Sequence, residues 1–448
     1  MAGIASQDDV TASPSGSAQH QGNVPRTTAW LLLWIMLGVG MFVYLQWVGY
    51  PDARQRMGST GLAPDDGVGL FPPWYASREL LLKGRDPYSS EIAAEIQQRV
   101  YGRPALVAEA SLSRDEHRFA YPLYVSLLLA PLVWLPFEQA QVVMIVALAA
   151  VTAASVVWWL KGLGVTASRR WTLLGVLAIF GSLAVQQGLH LQQLGMMVAA
   201  LLAAAVASST AGKHYCAGAL LGLATMKPHL AAGVTAWMLL WSVGDLRARR
   251  GVLVGFAGTM AVLLGGAALL VPDWITRWMG VVMSYPDYTG SQSLVGAMFG
   301  KLGAAVSMAA VAALVYTWWR WRKTESASAD YRRVLLITIG VQMLLIPTWI
   351  GHNQVLLVPI ALIAAMHAPQ LWASGVWSRA VLAMCVATVA WERLTAAALS
   401  LLKAAGMLQS PAPAVVALPV YPLFLFPFLA LLLVLVYTRA SEPQAATK

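Results

Sequence analysis

The sequence predicts an all-α protein that crosses a membrane about twelve times. Of its 448 residues, 58% are hydrophobic and only 11% are charged, and the mean hydropathy is +0.63. That is too little polar surface to cover a soluble protein of this size. Apolar stretches of roughly 20 residues, the length of a helix that crosses a bilayer, recur along the chain. Because only helices or closed barrels span lipid, and these stretches have helical length, we expect a helical membrane protein.

Charge and cysteine usage exclude several function classes. The net charge of +10 comes from basic residues in short segments between the apolar stretches, as the positive-inside rule predicts. We therefore expect the protein to contact membrane lipids and not to bind nucleic acid. Cys216 and Cys385 lie alone in apolar stretches, which favours small core residues. No metal-ligand spacing or ATP-binding loop is present, so we expect neither a metal nor another cofactor.

The chain divides into two tails and one membrane domain. Residues 1–27 lack large apolar side chains and are predicted to be a disordered cytoplasmic tail. The membrane domain covers residues 28–438, and residues 439–448 form a second cytoplasmic tail. The predicted spans are 28–48, 118–136, 139–160, 171–187, 193–210, 215–243, 251–271, 293–319, 334–349, 352–367, 378–402 and 420–438.

Residues 50–118, here called the outer loop, separate the first two predicted spans and carry more than a third of the charged residues. Pro72 and Pro73 suit the first turn of a helix that runs to Lys83 and ends at Gly84. A second helix is predicted from Ser89 or Ser90 to Gly102. Its apolar residues recur every four positions, which fits a helix along the membrane surface.

Topology follows from charge. A cytoplasmic N-terminus puts the basic residues at 247–250, 320–323 and 332–333 in the cytoplasm. It also puts the outer loop, residues 272–292 and the turn at Gly351 together on the opposite face. Lys161, Arg169 and Arg170 disagree with this count, so a re-entrant segment near residues 186–193 remains open.

Polar side chains within apolar stretches are costly in lipid and therefore mark candidate sites. The sequence Lys227-Pro228-His229 interrupts a long apolar run, where proline breaks the helix and the cations suit a phosphate; a boundary lysine is the alternative. Two segments are rich in hydrogen-bonding groups: residues 186–193 between two predicted spans, and a tight reversal at residues 348–354. A satisfied turn is the alternative for the reversal. The first segment contains Gln186, Gln187, His190, Gln192 and Gln193, and the reversal contains His352, Asn353 and Gln354. Tyr288 is a further candidate, for which an interfacial anchor is the alternative. Glu392 and Arg393 are interpreted as a pair that neutralises itself.

Seven segments in one order resemble glycosyltransferase family 87. They are WYASRELLLKGRDPYS, YGRP, RFAYPLYVSLLLAPLVWLPF, LQQLGMMVAALLAAA, GLATMKPHLA, YPDYTGSQS and GHNQVLLVP, within residues 66–365. The resemblance implies a GT-C-like fold in which the first extracytoplasmic loop carries surface helices and the catalytic acid. It also implies a hexosyltransferase of the plasma (inner) membrane. Such an enzyme moves a sugar, often mannose, from a polyprenyl-phosphate donor to a lipid-linked or glycan acceptor with inversion.

Inverting transfer needs a base for the acceptor hydroxyl and cations for the leaving phosphate. The resemblance and these positions suggest three sets of residues. They are Asp66, Asp65 or Asp86 as the catalytic carboxylate; Arg118, Lys227 and His229 at the donor phosphate; and Tyr288, His352, Asn353, Gln354 and Gln193 at the sugar or acceptor.

One position departs from the family pattern. The most similar members carry an aspartate five residues before the tryptophan that matches Trp74, and this chain has Gly69 there. Asp65 or Asp66 could act through a shifted loop, Asp86 could serve instead, or the chain could be a non-catalytic member. A transporter or flippase is a further alternative, because broken helices also mark transporter sites.

Overall fold

The computed structural model describes residues 24–57, 67–102, 117–289, 292–347, 350–409 and 412–440. Every regular element in these ranges is helical, which confirms the all-α prediction. Five helices are long and apolar enough to cross a membrane, and one bent pair of helices could form a sixth span. Twelve spans and the predicted domain limits remain predictions. The five helices are Leu32–Ala53, Phe137–Gly162, Leu246–Leu270, Leu294–Trp321 and Val376–Ala404.

The other helices are shorter or interrupted. The first span comprises Val24–Tyr44, a π-helical turn Leu45–Gly49 and Tyr50–Met57; a 3₁₀ turn, Gly300–Leu302, joins Leu294–Phe299 to Gly303–Trp321. The remaining α-helices are Phe71–Lys83, Ser90–Tyr101, Val125–Leu128, Ala130–Val133, Arg169–Phe180, Leu183–His190, Leu194–Thr210, His214–Ala224, Pro228–Val243, Trp274–Thr289, Ala329–Leu345, Val358–Met366, Ala368–Ala373, Pro413–Val416 and Phe426–Ala440, with 3₁₀ turns at Gly351–Leu357 and Tyr421–Phe424.

The segment predicted as one span at 118–136 is not a continuous helix. It holds two single-turn helices, Val125–Leu128 and Ala130–Val133, because prolines at 122, 131 and 136 interrupt it. The Trp74 indole donates a hydrogen bond to the carbonyl of Leu132 at 3.0 Å. Both single-turn helices of this segment pack against Phe71–Lys83 of the outer loop.

The outer loop contains both predicted helices. The first is Phe71–Lys83, which ends at Gly84 with a φ of 67°, and the second is Ser90–Tyr101, with the Ser89 hydroxyl as its N-cap and Gly102 at its end. Ile92, Ile96 and Val100 are buried in the same apolar core as the membrane helices. The repeating apolar face thus packs inside the protein, and a position of this helix along the membrane surface remains a prediction.

Ion pairs join these two helices. Arg85 contacts Glu79 at 2.8 Å and Glu95 at 2.7 Å, and the Tyr75 hydroxyl donates to Glu95 at 2.6 Å. Burial opposes ionisation of Glu79, but hydrogen bonds from Lys83 and Arg85 outweigh burial and lower its pKa. The hydrogen bond from Arg85 also lowers the pKa of Glu95. Both carboxylates are therefore charged at neutral pH.

A buried charged pair holds a bent helix pair in place. Arg169–Phe180 and Leu183–His190 meet at 64°. The Glu392 carboxylate accepts the N–H of Leu183 at 2.9 Å, and Arg393 donates to the carbonyl of Ala178 at 2.7 Å. An anion thus faces a helix N-terminus and a cation faces a helix C-terminus, which suits both helix dipoles. The two residues therefore bond to the two backbone ends at this bend, and their mutual neutralisation remains a prediction.

Candidate active site

The Lys227 motif breaks its apolar run in the way the sequence predicts. His214–Ala224 ends before it, and Pro228 begins the next helix, Pro228–Val243, with Lys227 as its N-cap. Gln342 fills the first turn of the new helix. Its amide oxygen accepts the N–H of Gly233 at 3.0 Å, and its nitrogen donates to the carbonyl of Leu230 at 2.5 Å. An inserted side chain of this kind bends a helix and fixes the direction of its first residues.

The two polar segments, around residues 186–193 and 351–354, contact each other. The 3₁₀ turn Gly351–Leu357 packs against Leu183–His190, and a Cβ on Gly351 would come within 2.8 Å of the Gln187 amide oxygen. Gln192 has a φ of 54°, and Gln193 is the N-cap of Leu194–Thr210. The Gln193 side chain accepts a hydrogen bond from Lys227, and a Cβ on Gly195 would contact both the Asn353 side chain and the Lys227 amine.

A cavity of about 370 Å³, here called the central cavity, lies where these segments meet. Six of the predicted site residues line it, and its remaining wall includes proline, aromatic and aliphatic side chains such as Pro72, Trp278 and Val282. No Asp or Glu belongs to the part of this wall that the structure describes. The six residues are Arg118, Gln193, Lys227, His229, His352 and Asn353.

Lys227 is the most buried cation of the central cavity, with 9% of its surface exposed. Its amine donates to the amide oxygen of Gln193 at 2.9 Å and lies 5.7 Å from the centre of the Tyr121 ring. Within the described ranges no carboxylate lies within ion-pair distance of it. A buried cation without a counter-charge is costly, so the cavity favours an anionic ligand beside Lys227.

Gly69 lies in the wall beside Gln193. Its N–H donates to the carbonyl of Leu191 at 2.8 Å. A Cβ at this position would lie 2.3 Å from the Gln193 amide nitrogen and 2.6 Å from the Leu191 oxygen. Only glycine fits this close approach, so the aspartate of the similar family members has no room here without a shift of the backbone.

Asp86 lies outside the central cavity, in a neighbouring cleft. One carboxylate oxygen accepts the N–H of Tyr88 at 3.0 Å, and the other pairs with Arg277 at 2.5 Å. Asp86 thus caps a turn and also makes an ion pair between the outer loop and Trp274–Thr289. Arg118 borders both spaces.

The remaining predicted residues are placed as follows. Gln354 is buried and does not line the cavity; its amide donates to the carbonyl of Leu423 at 2.6 Å. Asp65 and Asp66 lie outside the described residues, immediately before Gly67, and Val68 and Gly69 belong to the cavity wall. Tyr288 lies in the helix Trp274–Thr289, but its side chain is outside what the structure describes. The roles proposed for these four residues remain predictions.

Sequence reasoning missed Gln342 and Trp278. Gln342 is an amide within a predicted span, and that polarity is the signal that could have singled it out. Trp278 carries no such signal, because an aromatic residue near a membrane boundary is common. Its indole donates to the carbonyl of Ala120 at 3.2 Å and fixes one wall of the cavity.

Comparison with known families decides the assignment, because the model of glycosyltransferase family 87 matches residues 119–348. The chain belongs to glycosyltransferase family 87. It is a membrane glycosyltransferase by family, and the match includes Gln193, Lys227 and His229. The match begins after Gly69 and ends before His352, so it leaves both outside. No curated protein matches the chain.

Proposed function

We propose that the protein transfers a hexose, most simply mannose, from a polyprenyl-phosphate donor to a lipid-linked or glycan acceptor at the outer face of the plasma membrane. The observation that carries this proposal is the buried Lys227 amine in the central cavity. It has a hydrogen bond to Gln193 but no carboxylate within reach among the described residues. A sugar phosphate supplies the missing negative charge.

The lining of the cavity supports a lipid-linked donor. The cations Arg118 and Lys227 line the cavity together with His229 and with apolar residues that include Trp278, Val282 and Ile350. A phosphate with a sugar on one side and a polyprenyl chain on the other needs this combination of cations and apolar surface. His352, Asn353 and Gln193 offer hydrogen-bonding groups for the sugar hydroxyls.

The reaction is a single displacement. A carboxylate takes the proton of the acceptor hydroxyl, the acceptor oxygen bonds to the anomeric carbon, and the bond from that carbon to the phosphate oxygen breaks. Attack opposite the leaving group inverts the configuration. Polyprenyl phosphate then leaves with an added negative charge, which Lys227 and Arg118 stabilise.

We assign the base to Asp66, one residue before the described chain resumes at Gly67 and two residues before Val68 in the cavity wall. The test is sugar transfer by purified protein in lipid, with polyprenyl-phosphate mannose and glucose as donors and membrane lipids as acceptors. Asp66→Asn should lower the turnover about 100-fold or more, as loss of a general base does. Asp65→Asn is the matched control, expected within a few-fold of wild type. Full activity of Asp66→Asn would refute this assignment.

A non-catalytic member of the family is the second candidate. Two observations favour it: Gly69 replaces the expected aspartate, and the described wall of the cavity has no carboxylate. This candidate predicts donor binding that depends on Lys227, with no transfer of the sugar and no donor hydrolysis. The same assay therefore separates the two candidates.

A further inference from the structure

A second cavity of about 320 Å³, here called the side cleft, lies beside the central cavity. Asp86, Arg118, Arg277 and Ser284 supply its polar side chains, and Gly280 forms part of its floor. The helix Trp274–Thr289 separates the two spaces. It turns Arg277 and Ser284 to the side cleft and Trp278 and Tyr285 to the central cavity.

The two spaces are linked. Arg118 borders both, and the Tyr88 hydroxyl on the cleft side donates to the carbonyl of Tyr121, a residue of the central cavity, at 2.8 Å. Burial, and next the charge of Asp86, raise the pKa of Tyr88, so the hydroxyl keeps its proton and this hydrogen bond. A molecule in the side cleft would therefore lie next to the group that we place at the donor phosphate.

Arg277 in the side cleft has carboxylate partners. Arg277 contacts Asp86 at 2.5 Å and Asp273 at 2.9 Å, so two carboxylates neutralise it. A guanidinium held in this way is a poor site for a free phosphate. It still has N–H groups beyond the three in these contacts, and the carboxylates keep lone pairs. The side chains of Arg277 and Asp86 are 41% and 28% exposed, so a ligand in the cleft can reach them. Their fixed donors and acceptors lie side by side and therefore match the hydroxyl groups of a sugar.

We infer that the side cleft binds a saccharide of the acceptor, held by Asp86 and Arg277 and directed toward the central cavity past Arg118. That the bound saccharide is an acceptor rests on the proposed transferase function. Independently of that function, the inference states that the side cleft binds neutral sugars at a place distinct from the donor site.

The test measures binding without any donor. Full-length protein in phosphatidylcholine nanodiscs is titrated with mannotriose and with maltotriose, and binding is followed by saturation-transfer NMR. One of the two sugars should bind the wild type. Arg277→Gln and Asp86→Asn should each weaken that binding at least five-fold, whereas Lys301→Gln, which removes an exposed cation away from both cavities, should change it less than two-fold.

Ser284→Trp provides an independent check, because it fills the cleft from the helix side and leaves the ion pair intact. It should abolish the saccharide signal at an unchanged thermal midpoint. The inference is overturned if neither sugar binds the wild type, if Arg277→Gln and Asp86→Asn bind as the wild type does, or if millimolar inorganic phosphate displaces the sugar. Failure of sugar transfer in the assay described above would leave this result untouched, so the two proposals fail separately.

Discussion

At the scale of single residues, the lack of a side chain at Gly69 leaves room for the Gln193 amide. The Gln193 amide occupies the volume next to Gly69 and accepts the hydrogen bond of Lys227. The absence of a side chain at position 69 therefore permits the contact that orients the cavity cation. The departure of this sequence from the family pattern is matched by the packing around it.

Gly69→Ala tests that packing. The added methyl group would overlap the Leu191 carbonyl and the Gln193 amide, so we expect a loss of about 1 to 3 kcal/mol in the free energy of unfolding. Gly258→Ala is the control, because nothing lies within 4 Å of a Cβ at this helical position. Thermal unfolding in detergent should show a lower midpoint for Gly69→Ala only. Equal midpoints for the two variants would contradict the close packing at Gly69.

At the scale of helices, buried charges hold the ends of broken segments. Glu392→Leu removes the acceptor for Leu183 and leaves Arg393 buried without its neighbouring anion. We expect a loss of about 3 to 5 kcal/mol in stability, as for other broken buried pairs. Replacing both residues with leucine should recover part of this loss.

Lys403 is exposed in the same helix, so Lys403→Gln should change the free energy of unfolding very little. Thermal or denaturant unfolding of the three variants measures the difference. If Glu392→Leu is as stable as Lys403→Gln, the pair does not hold the bend.

The outer loop carries a pH-dependent contact between its two helices. Glu79 and Glu95 have lowered pKa values in the folded protein, so their stabilisation is complete above the unfolded value of about 4.3 and is lost as the pH falls through the folded values. Arg85→Gln should therefore lower the thermal midpoint at pH 7, and its difference from the wild type should shrink below about pH 4. A difference that stays constant from pH 7 to pH 3 would contradict this account.

The sequence predicted the elements whose causes are local. Pro228 ends one helix and begins another because proline lacks an N–H, and Gly84 ends the first helix of the outer loop because it adopts a positive φ. The contacts of Gln342 with the first turn of Pro228–Val243 were beyond sequence reasoning, since they join residues more than 100 positions apart. The same holds for Glu392 and Leu183. The segment 118–136 is not one continuous helix because its prolines interrupt it, and its packing against Trp74 was not foreseen.

At the scale of the whole molecule, the outer loop and the membrane helices share one apolar core. Phe71, Ile92 and Trp237 belong to the same buried cluster. The central cavity opens where this core meets six separate stretches of chain, at residues 68–73, 117–122, 193, 226–229, 278–286, and 347 with 350–353. A sequence can mark each polar stretch, but only the fold brings Arg118, Lys227 and His352 to one space.

The central claim is that Lys227 serves a phosphate rather than the fold. The most direct measurement compares sugar release from polyprenyl-phosphate mannose and glucose by the wild type and by Lys227→Met, together with their thermal midpoints. The account predicts turnover by the wild type, a loss of about 100-fold or more in the variant, and an equal or higher midpoint, because a buried charge that has no carboxylate partner among the described residues is gone. No turnover from either donor, or a Lys227→Met variant that works at the wild-type rate, would contradict it.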